Sequence, residues 1–170
     1  MKALMLFGAL SQSGKSLLVT ALTRILTRQG WRVAPFQAQT YGLNSYFTSS
    51  GGEIGYSQAV QAWSAQISPR VEMNPILLKP VEAGSVRVVV DGKRTAVEDI
   101  NLADYPREFQ SEGWQIVQNA LQRLKQEYDV LVCEGYGAPS DLPQKPYDIA
   151  NYRVAESLNA FGLLVIDMER

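Results

Sequence analysis

The chain has 170 residues, 46% of them hydrophobic, with 16 basic against 17 acidic side chains, one cysteine and no histidine. That length and apolar content fit one domain with a sizeable core, and a net charge of -1 without a basic block excludes a general nucleic-acid binder. The missing histidine and single cysteine exclude a disulfide, a typical zinc site and a Ser-His or Cys-His catalytic pair within these residues.

Chemistry must therefore come from carboxylates, lysines, hydroxyls and metal. No apolar run approaches the roughly 18 residues that span a bilayer. The start Met1-Lys2-Ala3 leads into a short strand rather than a signal peptide, so a cytoplasmic protein with no membrane partner is expected.

An apolar run over residues 3–7 predicts the first strand. It ends at Gly8-Ala9-Leu10-Ser11-Gln12-Ser13-Gly14-Lys15-Ser16, after which Leu17, Leu18, Ala21, Leu22, Ile25 and Leu26 recur at helical spacing over residues 16–28. Strand, glycine loop and helix in this order form a phosphate cradle. The loop turns backbone N–H groups inward, the helix adds the positive end of its dipole, Lys15 reaches the terminal phosphates, and the Ser16 hydroxyl joins a magnesium ion. Nucleotide contacts are accordingly expected from Gly8, Ser11, Gln12, Ser13, Gly14, Lys15, Ser16 and Leu17. The usual spacing counted back from Gly14 lands on Ala9, whereas Gly8 lies one residue earlier, in the longer form that resembles dethiobiotin synthetase and its relatives.

Gly30 stops the helix, residues 31–36 read as a second strand, and residues 37–52 as a polar loop, long enough to suggest a functional role. A helix over 54–66 is closed by Pro69, and a short apolar segment over 75–78 precedes Lys79-Pro80. Residues 86–90 read as a strand with Asp91-Gly92 as its turn, residues 96–105 are ambiguous, and 108–127 carry a long amphipathic helix. Residues 130–133 are a third core strand ending in Glu134, with Cys133 as a buried small hydrophobe. Residues 150–158 read as helix and 162–166 as a final strand ending in Asp167.

Short apolar strands alternating with helices predict an α/β fold, a mainly parallel sheet with helices on both faces, in one domain over 1–170. Ligands of such sheets bind beyond the carboxyl ends of the strands. The glycine loop, the 37–52 loop, Glu134 and Asp167 all fall at that edge. A carboxylate after an apolar strand beside a phosphate loop can hold magnesium, which makes Glu134 the first metal candidate; the alternative is a capping acid at a strand end.

Over essentially its whole length the chain also resembles the N-terminal synthetase domain of the cobyric acid synthase family, the ATP-dependent amidases of cobalamin biosynthesis. The resemblance is carried by Gly14-Lys15-Ser16-Leu17-Leu18, Val33-Ala34-Pro35-Phe36, Leu43-Asn44-Ser45, Gly51-Gly52-Glu53-Ile54-Gly55, Gln58-Ala59-Val60-Gln61-Ala62, Met73-Asn74-Pro75-Ile76-Leu77-Leu78-Lys79-Pro80 and Glu134-Gly135-Tyr136-Gly137-Ala138-Pro139. It implies a dethiobiotin-synthetase-like fold, ATP and Mg2+ as cofactors, and phosphorylation of corrinoid side-chain carboxylates to acyl phosphates that ammonia converts to amides. By the same matching, Lys15 and Lys79 would be catalytic, Ser16, Glu53 and Glu134 would hold the metal, and Asn44 and Asp148 would face the substrate. Ammonia would come from a glutamine amidotransferase domain or partner, beyond the synthetase part that these residues represent, and a homodimer is compatible with the family.

Three departures from the family's usual pattern stand out. Ala9 lacks a hydroxyl, Gln37 replaces a lysine after the second strand, and Tyr136 replaces a small residue after Glu134. They leave open an alternative, a catalytically weak nucleotide-binding relative with a regulatory or binding role. A ParA-like ATPase acting through dimer formation is a third reading, opposed by Ala9 or Leu10 where such proteins carry an extra lysine.

Overall fold

The computed structural model describes residues 1–95, 99–101, 105–137 and 148–168. Strand β1 (Lys2–Gly8) is followed by helix α1 (Lys15–Arg28), which ends at Gly30 with φ at +88°, a left-handed turn that glycine adopts without penalty. Strand β2 (Val33–Phe36) comes next.

The segment expected to be one polar loop contains two short strands, β3 (Gln39–Tyr41) and β4 (Ser45–Phe47); β4 pairs antiparallel with β5 (Glu53–Gly55) to make a small hairpin. Helix α2 (Tyr56–Ser64) leads to β6 (Ile76–Pro80), β7 (Ser85–Val90), β8 (Lys93–Arg94) and β9 (Ile100–Asn101). Helix α3 (Tyr105–Glu127), β10 (Val130–Glu134), α4 (Tyr152–Leu158) and β11 (Phe161–Val165) complete the chain. Residues 96–98 and 102–104 of the ambiguous segment, and Ala138 and Pro139, lie outside the described residues.

Two sheets result. The central one is wholly parallel in the order β11-β1-β10-β2. The second joins β3 to β6 in parallel, and then β7, β8 and β9 in antiparallel, so the parallel sheet read from the sequence has a mixed sheet beside it.

Side-chain alternation decides what covers each face of the central sheet. Ala3, Met5, Leu131 and Cys133 point into the larger core with Val117, Leu121 and Leu124 of α3, Val154 and Leu158 of α4, and Ile76, Leu78 and Val88 of the second sheet. Leu6, Val130 and Val132 point the other way, against Val19 of α1. Helix α1 does not bury all the leucines its periodicity offered. Val19, Leu22 and Leu26 face the sheet, while Leu17 is 74% exposed and Ile25 52%. Among the described residues no helix is long and apolar enough to cross a membrane.

Candidate functional site

β1 runs between β11 and β10, so the loop that leaves it is flanked by the carboxyl ends of both neighbours. The Ala9 N–H donates to the Val165 carbonyl at 2.8 Å on one side, and the Gly135 N–H donates to the Leu6 carbonyl at 2.9 Å on the other. Gln12 and Gly14 take positive φ of 63° and 86°. Gly14 is the residue preceding α1, and the helix start carries no side-chain cap and no acidic residue in its first turn. The first N–H groups of α1 are therefore left for an external acceptor, as an anion-binding helix start requires.

Gly8 has a different reason to be glycine. A Cβ there would collide with Lys15 Nζ and Ser13 Oγ and lie 2.9 Å from the Leu10 carbonyl oxygen. The lysine therefore folds back over Gly8. Lys15 is 7% exposed, and among the described residues its amine donates only long hydrogen bonds, 3.4 Å to the Leu10 carbonyl and 3.3 Å to the Gly137 carbonyl. Ser13 Oγ is buried with no partner among the described residues. An ammonium on weak carbonyl contacts, an unpartnered hydroxyl and an uncapped helix start suit a phosphate group. Ser11, Gln12 and Leu17 are exposed, and Leu17 can offer the site its backbone only.

Ser16 Oγ donates to Glu134 Oε1 at 2.6 Å, joining the first turn of α1 to the end of β10. Burial pushes the Glu134 carboxyl above the usual carboxylate range, against the opposing pull of hydrogen bonds from Ser16 and Gln61 and of the Lys15 charge. A cation would offset that burial penalty. A hydroxyl and a carboxylate are oxygen donors of the kind Mg2+ takes from proteins, usually one or two per site with water and substrate phosphates supplying the rest. Among the described residues no group of three or more His, Cys, Asp or Glu is placed to hold a metal.

The remaining expected site residues are placed as follows. Glu53, on β5, pairs with Lys79 Nζ of β6 and accepts from Ser45 Oγ at 2.5 Å; Lys79 also reaches Ser45 Oγ at 3.5 Å. Burial raises the Glu53 carboxyl, but the Lys79 and Ser45 hydrogen bonds and the lysine charge outweigh it and hold the carboxyl below its ordinary value. Glu53 thus makes its contacts with Lys79 and Ser45 rather than with the Ser16–Glu134 pair. Asn44 is exposed and gives its carbonyl to the Tyr56 N–H at 3.2 Å.

Asp148 accepts the backbone N–H groups of Ala150, Asn151 and Tyr152 at 3.0, 2.8 and 2.7 Å. It fastens the start of α4, and Asn151 Nδ2 carries the link to the Tyr136 carbonyl at 2.9 Å. The Tyr136 side chain packs against the larger core.

Sequence reasoning gave no role to Gln58, Gln61 and Asn74, and of the three it is Gln61 that contacts an expected metal ligand directly. Gln61 Nε2 donates to Glu134 Oε2 at 2.9 Å, Gln58 Nε2 donates to Gln37 Oε1 at 2.5 Å, and Gln37 Nε2 donates to the Gly135 carbonyl at 3.4 Å. Asn74 accepts from Thr40 and from the Gly55 N–H at 2.8 Å each, and donates to the Gln37 and Ile76 carbonyls. A local signal exists. Gln58 and Gln61 alternate with Ala59 and Ala62 on the buried face of α2, where polar side chains need partners.

The family described as the CobQ/CobB/MinD/ParA nucleotide binding domain matches residues 4–169. Among curated proteins, cobyric acid synthase of Nostoc punctiforme is 50% identical over 170 residues, and those of Trichodesmium erythraeum and Microcystis aeruginosa are 47% and 46% identical over the same span. Each alignment covers 100% of this chain and 34% of the relative, so the chain spans about a third of the length of these relatives. The uncapped loop, its lysine and the match along almost the entire chain place it together: it belongs to the CobQ/CobB/MinD/ParA nucleotide-binding domain family.

Proposed function

We propose that this domain binds ATP with Mg2+ and activates side-chain carboxylates of a corrinoid for amidation, as the synthetase part of a cobyric acid synthase. The observation that carries the reading is the Ser16–Glu134 pair at 2.6 Å beside the buried Lys15 amine; the substrate class follows from relatives that carry that name.

Bound ATP would supply the phosphoryl group, and Mg2+ would offset the charge on its phosphates. Ser16 and Glu134 would hold the metal, Lys15 would face the transferring phosphate, and the N–H groups of the loop and of the first turn of α1 would fix its oxygens. A carboxylate is a poor electrophile. Its oxygen attacks the terminal phosphorus while ADP leaves, and ammonia then attacks the acyl carbon, loses a proton and expels phosphate. Lys79, paired with Glu53 and near Ser45, would meet the carboxylate-bearing ligand with its amine, and Asn44 and Asp148 are assigned to the substrate by the family matching alone. Ammonia comes from a glutamine amidotransferase domain or partner, and a homodimer is the assembly to test by light scattering.

Calorimetry of ATP with Mg2+ on the parent chain and on Lys15→Ala tests the first half. Strong heat from the parent and little from the variant is expected; no heat from the parent overturns the reading. Incubation with a corrinoid carboxylate, ATP and ammonia tests the second half. Gln37→Lys, whose amine would replace the side chain that now donates to the Gly135 carbonyl, should raise the rate, because the site then regains a cation where negative charge develops.

A further inference from the structure

We infer that Gln61 is a positioning residue for the metal, orienting the Glu134 carboxylate by donating to it; this rests on the magnesium reading above. Glu134 is 5% exposed and each of its oxygens holds one donor, Ser16 Oγ on Oε1 and Gln61 Nε2 on Oε2. The two donors are not equivalent. A cation held by Ser16 and Glu134 would compete for the oxygen lone pairs that the Ser16 hydrogen bond now occupies. Gln61 keeps its hold on the opposite oxygen throughout. It is fixed by its own packing, with no exposed surface, on a helix that lies against α1 and β2.

The second observation is the other end of the same amide. Gln61 Oε1 is buried and has no hydrogen-bond partner among the described residues. It lies one amide width from the nitrogen that contacts Glu134. A hydrated divalent cation would bring strongly polarised water with it, and a buried acceptor within reach would accept a hydrogen bond from that water. Gln61 would then hold the carboxylate with its N–H and the ion's water with its carbonyl, an outer contact of the kind that orients metal ligands generally.

Gln58 provides the comparison. It is equally buried on the same face of α2 and also has an unpartnered Oε1, but its donor goes to Gln37 rather than to a metal-binding group.

The test titrates Mn2+ into the chain with ATP present, read by electron paramagnetic resonance, and separately measures ATP binding with metal removed. Gln61→Leu should weaken Mn2+ by about 10- to 100-fold, the usual loss when an outer-shell partner is removed, with metal-free ATP affinity within about two-fold of the parent. Gln58→Leu should leave Mn2+ affinity at the parent value. Equal Mn2+ affinity in Gln61→Leu and the parent overturns the inference. So does an equal loss in both leucine variants, which would mark a packing effect. If Gln61→Leu does not fold, Gln61→Asn, which keeps the amide but cannot reach Glu134, serves in its place with the same expectation. A parent that binds ATP without any metal dependence removes the magnesium reading itself, an outcome distinct from the other two.

Discussion

Two glycines bound the phosphate loop, and replacing each by alanine should fail for opposite reasons. At Gly14, φ is +86° and an added Cβ meets nothing within 4 Å. The penalty there is backbone strain alone, about 1–2 kcal/mol for an L-residue held in the left-handed region. At Gly8 the methyl collides with Lys15 Nζ and Ser13 Oγ and presses on the Leu10 carbonyl at 2.9 Å. Two of these three groups end flexible side chains and can swing away, so the stability loss is that of an overpacked site, about 1–3 kcal/mol.

The functional loss at Gly8 should be larger than the stability loss implies, because the group that must move is the amine expected to meet phosphate. Hydrogen bonds to charged groups contribute about 1.5–3 kcal/mol, equivalent to roughly 10- to 100-fold in Kd. Denaturant unfolding paired with ATP calorimetry separates the two. Gly14→Ala should lose stability with a modest affinity change, and Gly8→Ala should lose affinity beyond its stability change. Unaltered ATP affinity in Gly8→Ala would refute the claim that the lysine folds over this glycine, and with it the assignment of Gly8 rather than Ala9 as the first glycine of the loop.

Other outcomes follow from burial and charge. Val19→Ala on α1 should cost about 1–3 kcal/mol, as deletion of buried methyls does, whereas the exposed Leu17→Ala should change unfolding free energy by less than about 0.5 kcal/mol; equal effects would mean the helix is rotated from the orientation described. Cys133 is fully buried and its thiol is pushed up to about 12, so thiol reagents should label it only at the rate of unfolding; labelling of native protein at the rate of a free thiol would contradict its placement. Glu72 is raised by burial but drawn lower overall by Arg70 and Arg123, so its folded value lies below the unfolded one. Its stabilisation is therefore complete above the ordinary value of 4.5 and is lost as pH falls through the lower folded value. Glu72→Gln should flatten that acid limb of the stability curve; an unchanged limb would show that the ion pairs contribute nothing.

Local sequence was sufficient wherever the chemistry is contained in neighbouring residues. The glycine loop, its position between an apolar strand and a helix, Lys15 and Ser16 within it, and an acid at the end of the 130–134 strand all follow from short-range pattern, because strand and helix periods and loop glycines are local properties. What local pattern could not supply is which strands lie side by side. Only the order β11-β1-β10-β2 brings Glu134 to Ser16 across 118 positions of sequence and makes one oxygen site of the two. Long-range pairing also divided the acids, joining Glu53 to Lys79 through the β4–β5 hairpin and turning the Asp148 carboxylate onto the backbone at the start of α4.

Strands β3 and β4 escaped sequence reading because they are three residues each, too short to show a period. Gln58 and Gln61 read as ordinary polar residues on a helix until α2 packs against β2 and α1. Burial then obliges each amide to find a partner, and the partners they find are Gln37 and Glu134.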